Sequence, residues 1–301
     1  MMRFIIRLFF FVAIMLVLDR GFGWAMMTMQ NNAKGGYVGH HNYIVHQSDE
    51  DILIFGSSRA IHHYNPQIIT DSLGLSCYNC GQDGNGIVLF YGWWQLMKDR
   101  HCPKMIIYDV TPSFDLLMGE DNHKYLGWLR SEYDNESVKQ VFEDIDPTEK
   151  FKMQSMMYRY NSKFLQIITD FLHPVFSISS NGYLPVAGEM EKMKIRENAM
   201  EKDAAYVFDS QKLAYLKSFI EDTKSRGIKL VFVASPIWYG MSDAKFVPLE
   251  ELCKKESISF YNFSNDKDYV RHDEFFKDGN HLNAYGADEF SKEICTVLKR
   301  I

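Results

Sequence analysis

Positive charge is scarce in this chain: 33 lysines and arginines face 39 aspartates and glutamates, for a net charge of -6. That balance argues against a nucleic-acid surface, which would need a basic face, and no nucleic-acid partner is expected. Cysteine is also sparse, with five in 301 residues, too few for a disulfide framework in a chain this long. The pair Cys77 and Cys80 forms a C-x-x-C, but no second pair follows to complete a zinc site. At a strand end, residues three apart point to opposite faces, so both read as small buried apolar residues. The doublets His40–His41 and His62–His63 read as surface histidines, and no metal-ligating constellation emerges. Runs of like charge, low-complexity tracts and internal repeats are missing. Neither G-x-x-x-x-G-K-[ST] nor G-x-G-x-x-G is found, which argues against a nucleotide cofactor; none is expected.

What the chain does have begins at its N-terminus. Arg3 and Arg7 precede an apolar block that runs to Leu18. At a helical rise of ~1.5 Å per residue the block from Phe4 spans about 22 Å, short of a ~30 Å hydrocarbon core. That length suits the apolar core of a signal sequence, yet no small-x-small cleavage site follows. The expectation is an uncleaved anchor over residues 1–29, with Arg20 and Trp24 at the interface and the rest of the chain extracytoplasmic. A cleaved signal peptide, or an amphipathic or buried first helix, is the alternative. Residues 30–50 are polar and read as a linker.

From Asp51 the pattern becomes regular. Apolar runs at "ILIF", "LSCYNC", "KMIIYDV", "IKLVFVAS" and "ISFYNFS" alternate with helical stretches. This predicts a three-layer α/β/α domain over 51–301 with a mostly parallel sheet, flavodoxin-like in its winding. A helical insertion at about 116–200 interrupts the alternation. Ligands of such sheets bind beyond the carboxyl ends of the strands.

Two stretches at those ends carry chemistry. "FGSSR" follows the first strand and places Ser57, Ser58 and Arg59 after Gly56; a serine there is either a helix cap or a nucleophile. "DGNHLNAYG" precedes the last helix, and the offset between Asp278 and His281 lets a loop carboxylate reach its own histidine's ring. Together with the glycine of "YNCGQDG", these blocks resemble the SGNH/GDSL hydrolase superfamily, and most closely its membrane-anchored members with a GSSR block. The resemblance covers roughly 51–301. It implies Ser58 as nucleophile, His281 as base and Asp278 as the residue orienting it. It further implies an oxyanion hole made by the backbone N–H groups of Ser58 and Gly81. The family's third-block asparagine has no counterpart in "YDVTPSFD", and Asn85 is a substitute donor. Arg59 is either a structural ion-pair partner or a binder of an anionic substrate group.

The function implied is a membrane-anchored serine esterase acting on O-acyl esters, O-acetyl foremost, of an envelope glycan. An O-acyltransferase using the same three residues, and a non-catalytic glycan-binding or scaffold module, are the alternatives. The partners expected are an acylated carbohydrate or other small ester, and the membrane.

Overall fold

In a computed structural model of the chain, residues 1–173, 181–190 and 205–300 are described. The chain divides into two compact units, Met1–Gln47 with Asn122–Ser177 and Ser48–Asp121 with Ile178–Ile301.

The larger unit is built on the apolar runs. They form five strands, β1 (Ile52–Gly56), β2 (Cys77–Asn79), β3 (Met105–Asp109), β4 (Lys229–Ala234) and β5 (Ser259–Asn262). All pairs are parallel and the spatial order is β2-β1-β3-β4-β5. Because side chains alternate, each strand feeds two cores. Ile54, Ile107 and Val231 pack with Phe290 and Ile294 of the helix Ala284–Leu298. Phe55 faces the other way, its ring 6.0 Å from those of Phe90 and Phe219, on the helices Ile87–Met97 and Ser210–Ser225. Each of these fully buried aromatics stabilises the fold by roughly 2–3 kcal/mol. Parallel strands covered on both faces are the expected α/β/α arrangement. Cys77 and Cys80 are buried and free, and burial pushes both thiols well above their usual range.

The register aligns Gly56 of β1 with Asp109 of β3, and Asp109 with Val233 of β4. The chain ends that follow, Ser57–Ser58, Val110–Thr111 and Ala234–Ser235, therefore emerge side by side on one sheet edge.

The smaller unit changes the reading of the N-terminus. Met2–Asn32 is one helix, but none among the described residues is long and apolar enough to cross a membrane. The spanning anchor expected at 1–29 is thus not shown. The apolar block stops at Leu18, and the next residue is tied into the protein. Asp19 accepts from Ser155 Oγ (2.6 Å) and from the backbone N–H groups of Met156 and Met157 (2.9 Å each), capping the helix Met156–Tyr160. One turn on, Gly23 packs so closely on Met156 that a Cβ there would lie 2.4 Å from its side chain. Residues Phe4–Leu18, by contrast, leave their apolar side chains exposed around the helix.

The expected linker at 30–50 is instead largely the helix Gly36–His46. His40 and His41 are buried within it, not on the surface; His41 stacks on Trp128 and pairs with Glu132 at 3.4 Å. The expected insertion at 116–200 is helical from Asn122 to Leu172, while its stretches 174–180 and 191–200 lie outside the described residues. Residues 181–190 belong to the larger unit.

Candidate active site

The turn after β1 sets the first side chain. Gly56 has φ of 143°, and a Cβ there would lie 2.6 Å from the Asp109 carbonyl oxygen, so only glycine fits. The chain then enters the short helix Ser58–His63, with Ser58 as its first residue. First-turn N–H groups have no intrahelical acceptor, and the Ser58 N–H is one of them.

The far end of the chain meets it. His281 Nε2 lies 2.8 Å from Ser58 Oγ, and His281 Nδ1 lies 2.9 and 3.0 Å from the two carboxylate oxygens of Asp278. Asp278 also accepts from the backbone N–H groups of Asn280 (2.8 Å) and His281 (3.0 Å), so the loop closes on its own carboxylate. Partial burial opposes its charge, but the His281 hydrogen bond and the backbone donors hold the carboxyl below its usual range. An ionised Asp278 requires the proton of neutral His281 to sit on Nδ1, which leaves Nε2 as an acceptor facing Ser58.

A second layer fixes this loop. His63, fully buried, receives the Leu282 N–H at Nε2 (3.0 Å) and meets Ser235 Oγ at Nδ1 (2.9 Å). Burial, and then the neighbouring His281 and Arg59, push its pKa well below the ordinary value. His62 is also mostly inside, its Nδ1 2.7 Å from the Leu184 carbonyl and its Nε2 3.3 Å from Asp83. The expectation of surface histidines at 62–63 is thus corrected: His63 turns inward, where a backbone N–H and a serine hydroxyl satisfy it.

The other oxyanion donors named from sequence are engaged elsewhere. The Gly81 N–H donates to Asn79 Oδ1 at 2.9 Å, and Asn85 Nδ2 donates to the Asp83 carbonyl at 2.7 Å. Neither residue lines the cavity at Ser58. Arg59 lines the cavity and makes the structural pairing that was one of its two expected roles. Its guanidinium is buried and donates to Thr111 Oγ1 (3.3 and 3.2 Å), to Ser235 O (3.3 Å) and to Val110 O, 3.5 Å from Asp109. It braces the ends of β3 and β4 from β1's turn.

The cavity holds about 310 Å³, a size within the range of ligand sites. Ser57, Ser58, Thr111 and His281 line one side, and Phe114, Leu117, Ile237 and Met241 form an apolar wall. Sequence reasoning gave Ser57 no role of its own, placed His63 on the surface and passed over Thr111. The available sign was position, since polar residues one or two places past a strand's carboxyl end face the ligand edge.

Elsewhere, His123, Asp146 and Glu149 bring ligand atoms within 4.8 Å of one another. Lys152 Nζ already sits 2.8 Å from Asp146 and 2.9 Å from Glu149, so an ammonium pairs with both carboxylates.

A parallel α/β sheet with a serine, a histidine and an aspartate in hydrogen-bonded series at its carboxyl edge is the class that the fold and site define. Among solved structures, the chain is similar to a protein from Desulfitobacterium hafniense DCB-2 described as a lipolytic protein of the G-D-S-L family. Identity is 12%, 82% of this chain and 98% of that chain are covered, and the TM-score is 0.39. No family model matches, and no curated protein matches.

Proposed function

We propose that the chain is a serine esterase of the SGNH/GDSL type. The observation that carries this is the unbroken series from Ser58 Oγ through both ring nitrogens of His281 to Asp278. Nε2 takes the Ser58 proton as Oγ bonds to the acyl carbon of an ester. Asp278 stabilises the imidazolium that results. The tetrahedral oxyanion collapses, the alcohol leaves with the proton from Nε2, and an acyl-Ser58 intermediate remains. Water, deprotonated by His281, then releases the acid.

The apolar wall of Phe114, Leu117, Ile237 and Met241 suits a short acyl chain, with Asn280 and Lys245 beside it for a polar alcohol portion. An O-acetylated envelope glycan fits this division, and a sugar hydroxyl in place of water turns the same steps into acyl transfer. The location we propose is the extracytoplasmic face of the membrane. Its support is Arg3 and Arg7 ahead of an exposed apolar stretch with the length of an export signal's core.

The test is labelling of the full chain with a fluorophosphonate, followed by peptide mapping, alongside turnover of p-nitrophenyl acetate. Modification of Ser58, lost in Ser58→Ala and in His281→Ala, is expected. A chain that is never labelled at Ser58 and turns over no ester is a binding module and not an esterase. Membrane fractionation and protease protection test the location; full-length chain in the soluble fraction would overturn it.

A further inference from the structure

The structure assigns the side-chain donor of the oxyanion hole to Ser57, oriented by Thr111 and Arg59; this rests on the esterase reading above. Ser57 stands where a helix N-cap stands, yet its side chain caps nothing. N-cap serines ordinarily accept from an N–H in the helix's first turn. Here Ser57 Oγ reaches across to Thr111 Oγ1 at 2.7 Å, and among the described residues that is its hydrogen bond.

Counting hydrogens settles the direction. Two hydroxyls hold two hydrogens, and one lies between the oxygens. Arg59 Nε and Nη2 both point at Thr111 Oγ1, from 3.3 and 3.2 Å. An arginine stays protonated and only donates, so these contacts occupy the lone pairs of Thr111. The Thr111 hydrogen must then point away from the guanidinium, towards Ser57. Ser57 accepts it, and its own hydrogen is left over. Ser57 is nearly fully buried and lines the same cavity as Ser58 and His281, so the leftover hydrogen has that cavity to point into. The chain Arg59 to Thr111 to Ser57 is a relay of donors whose two ends are buried, and each link polarises the next. It ends where an oxyanion forms when Ser58 attacks. The backbone of Thr111 is pinned as well, its N–H donating to the buried Asp115 at 2.7 Å, so the relay is held in place before substrate arrives.

Ser57 thus supplies a donor from the β1 turn, with the "YDVTP" end of β3 contributing the threonine that orients it. Gly81 and Asn85, engaged elsewhere, are not needed.

The experiment compares Ser57→Ala, Thr111→Val and Thr111→Ser with the wild-type chain on p-nitrophenyl acetate, below every unfolding midpoint. An aryl trifluoromethyl ketone, which forms a hemiketal anion on Ser58, measures the hole directly. Ser57→Ala should lower kcat by ~10²–10³ with KM nearly unchanged, and weaken the ketone by a similar factor. Thr111→Val should lose part of the rate, and Thr111→Ser should recover it. A Ser57→Ala chain with wild-type kcat and ketone affinity overturns the inference, while Ser58→Ala in the same assay reports separately on the esterase reading. A rate loss confined to KM, or a Thr111→Ser as slow as Thr111→Val, also overturns it.

Discussion

The Leu282 N–H donates to His63 Nε2 at 3.0 Å, which ties the residue after His281 to the helix that begins at Ser58. The distance between base and nucleophile is therefore set by a buried imidazole that takes no part in proton transfer. His63→Gln should lower kcat by about tenfold, because loss of positioning alone is costly in an active site. It should also change the acid limb of stability. The folded pKa of His63 lies well below its value near 6.5 in the unfolded chain, so the unfolded state binds more protons below that pH. Stability from this group is present above pH ~6.5 and is lost as the pH falls towards the folded value. Urea unfolding should show the wild-type chain losing its advantage over His63→Gln between pH 7 and 5. A constant difference would refute the buried neutral assignment.

Asp115 titrates with the opposite sign. Burial raises its pKa to about 7, against the hydrogen bonds from Tyr108, Thr111 and Ile87. From pH ~4 to ~7 the folded state holds a proton that the unfolded state has released, so this contribution falls as pH rises. Relative to Asp115→Asn, the wild-type chain should lose on the order of 1–4 kcal/mol across that window. Parallel unfolding curves at every pH would count against the raised pKa.

Asn85 closes the Asp83 turn through its side-chain amide. Asn85→Ala should therefore cost about 1 kcal/mol of stability and leave kcat of the folded chain intact. A hundredfold fall in kcat would restore Asn85 to the oxyanion hole.

Asp19 caps the helix Met156–Tyr160 from across the smaller unit. Asp19→Ala should cost about 1–2 kcal/mol, measured as a lower thermal midpoint. If Asp19 instead lies free at a membrane interface, the midpoint should stay where it is.

The sheet was legible because buried parallel strands write themselves as unbroken apolar runs, as at Ile52–Phe55 and Met105–Tyr108. Asp278 and His281 were legible because their bond is local. Ser57, Thr111 and Arg59 were not, since their meeting depends on β1 pairing with β3, a register that single-sequence patterns do not give. His63 was missed because burial of a polar ring is decided by partners 172 and 219 residues away, at Ser235 and Leu282. The linker misreading has a similar cause. Residues 30–50 look polar, yet Gln30, His40, His41 and Asn42 are buried. Asn42, for example, donates to the Gln30 carbonyl at 2.6 Å.

The smaller unit is assembled from two stretches, ending at Gln47 and resuming at Asn122. On a ribosome adding ~5–20 residues per second, the intervening 74 residues (48 to 121) take about 4–15 s. Throughout that interval the first helix is finished while Met156 and Ser155 do not yet exist, so Gly23 and Asp19 wait for the groups they pack on and cap. The exposed stretch Phe4–Leu18 is present from the start as well. Trimming the chain to begin at Gln30 would thus remove half of a hydrophobic interface together with the apolar stretch, and leave residues 122–173 to fold around a missing helix.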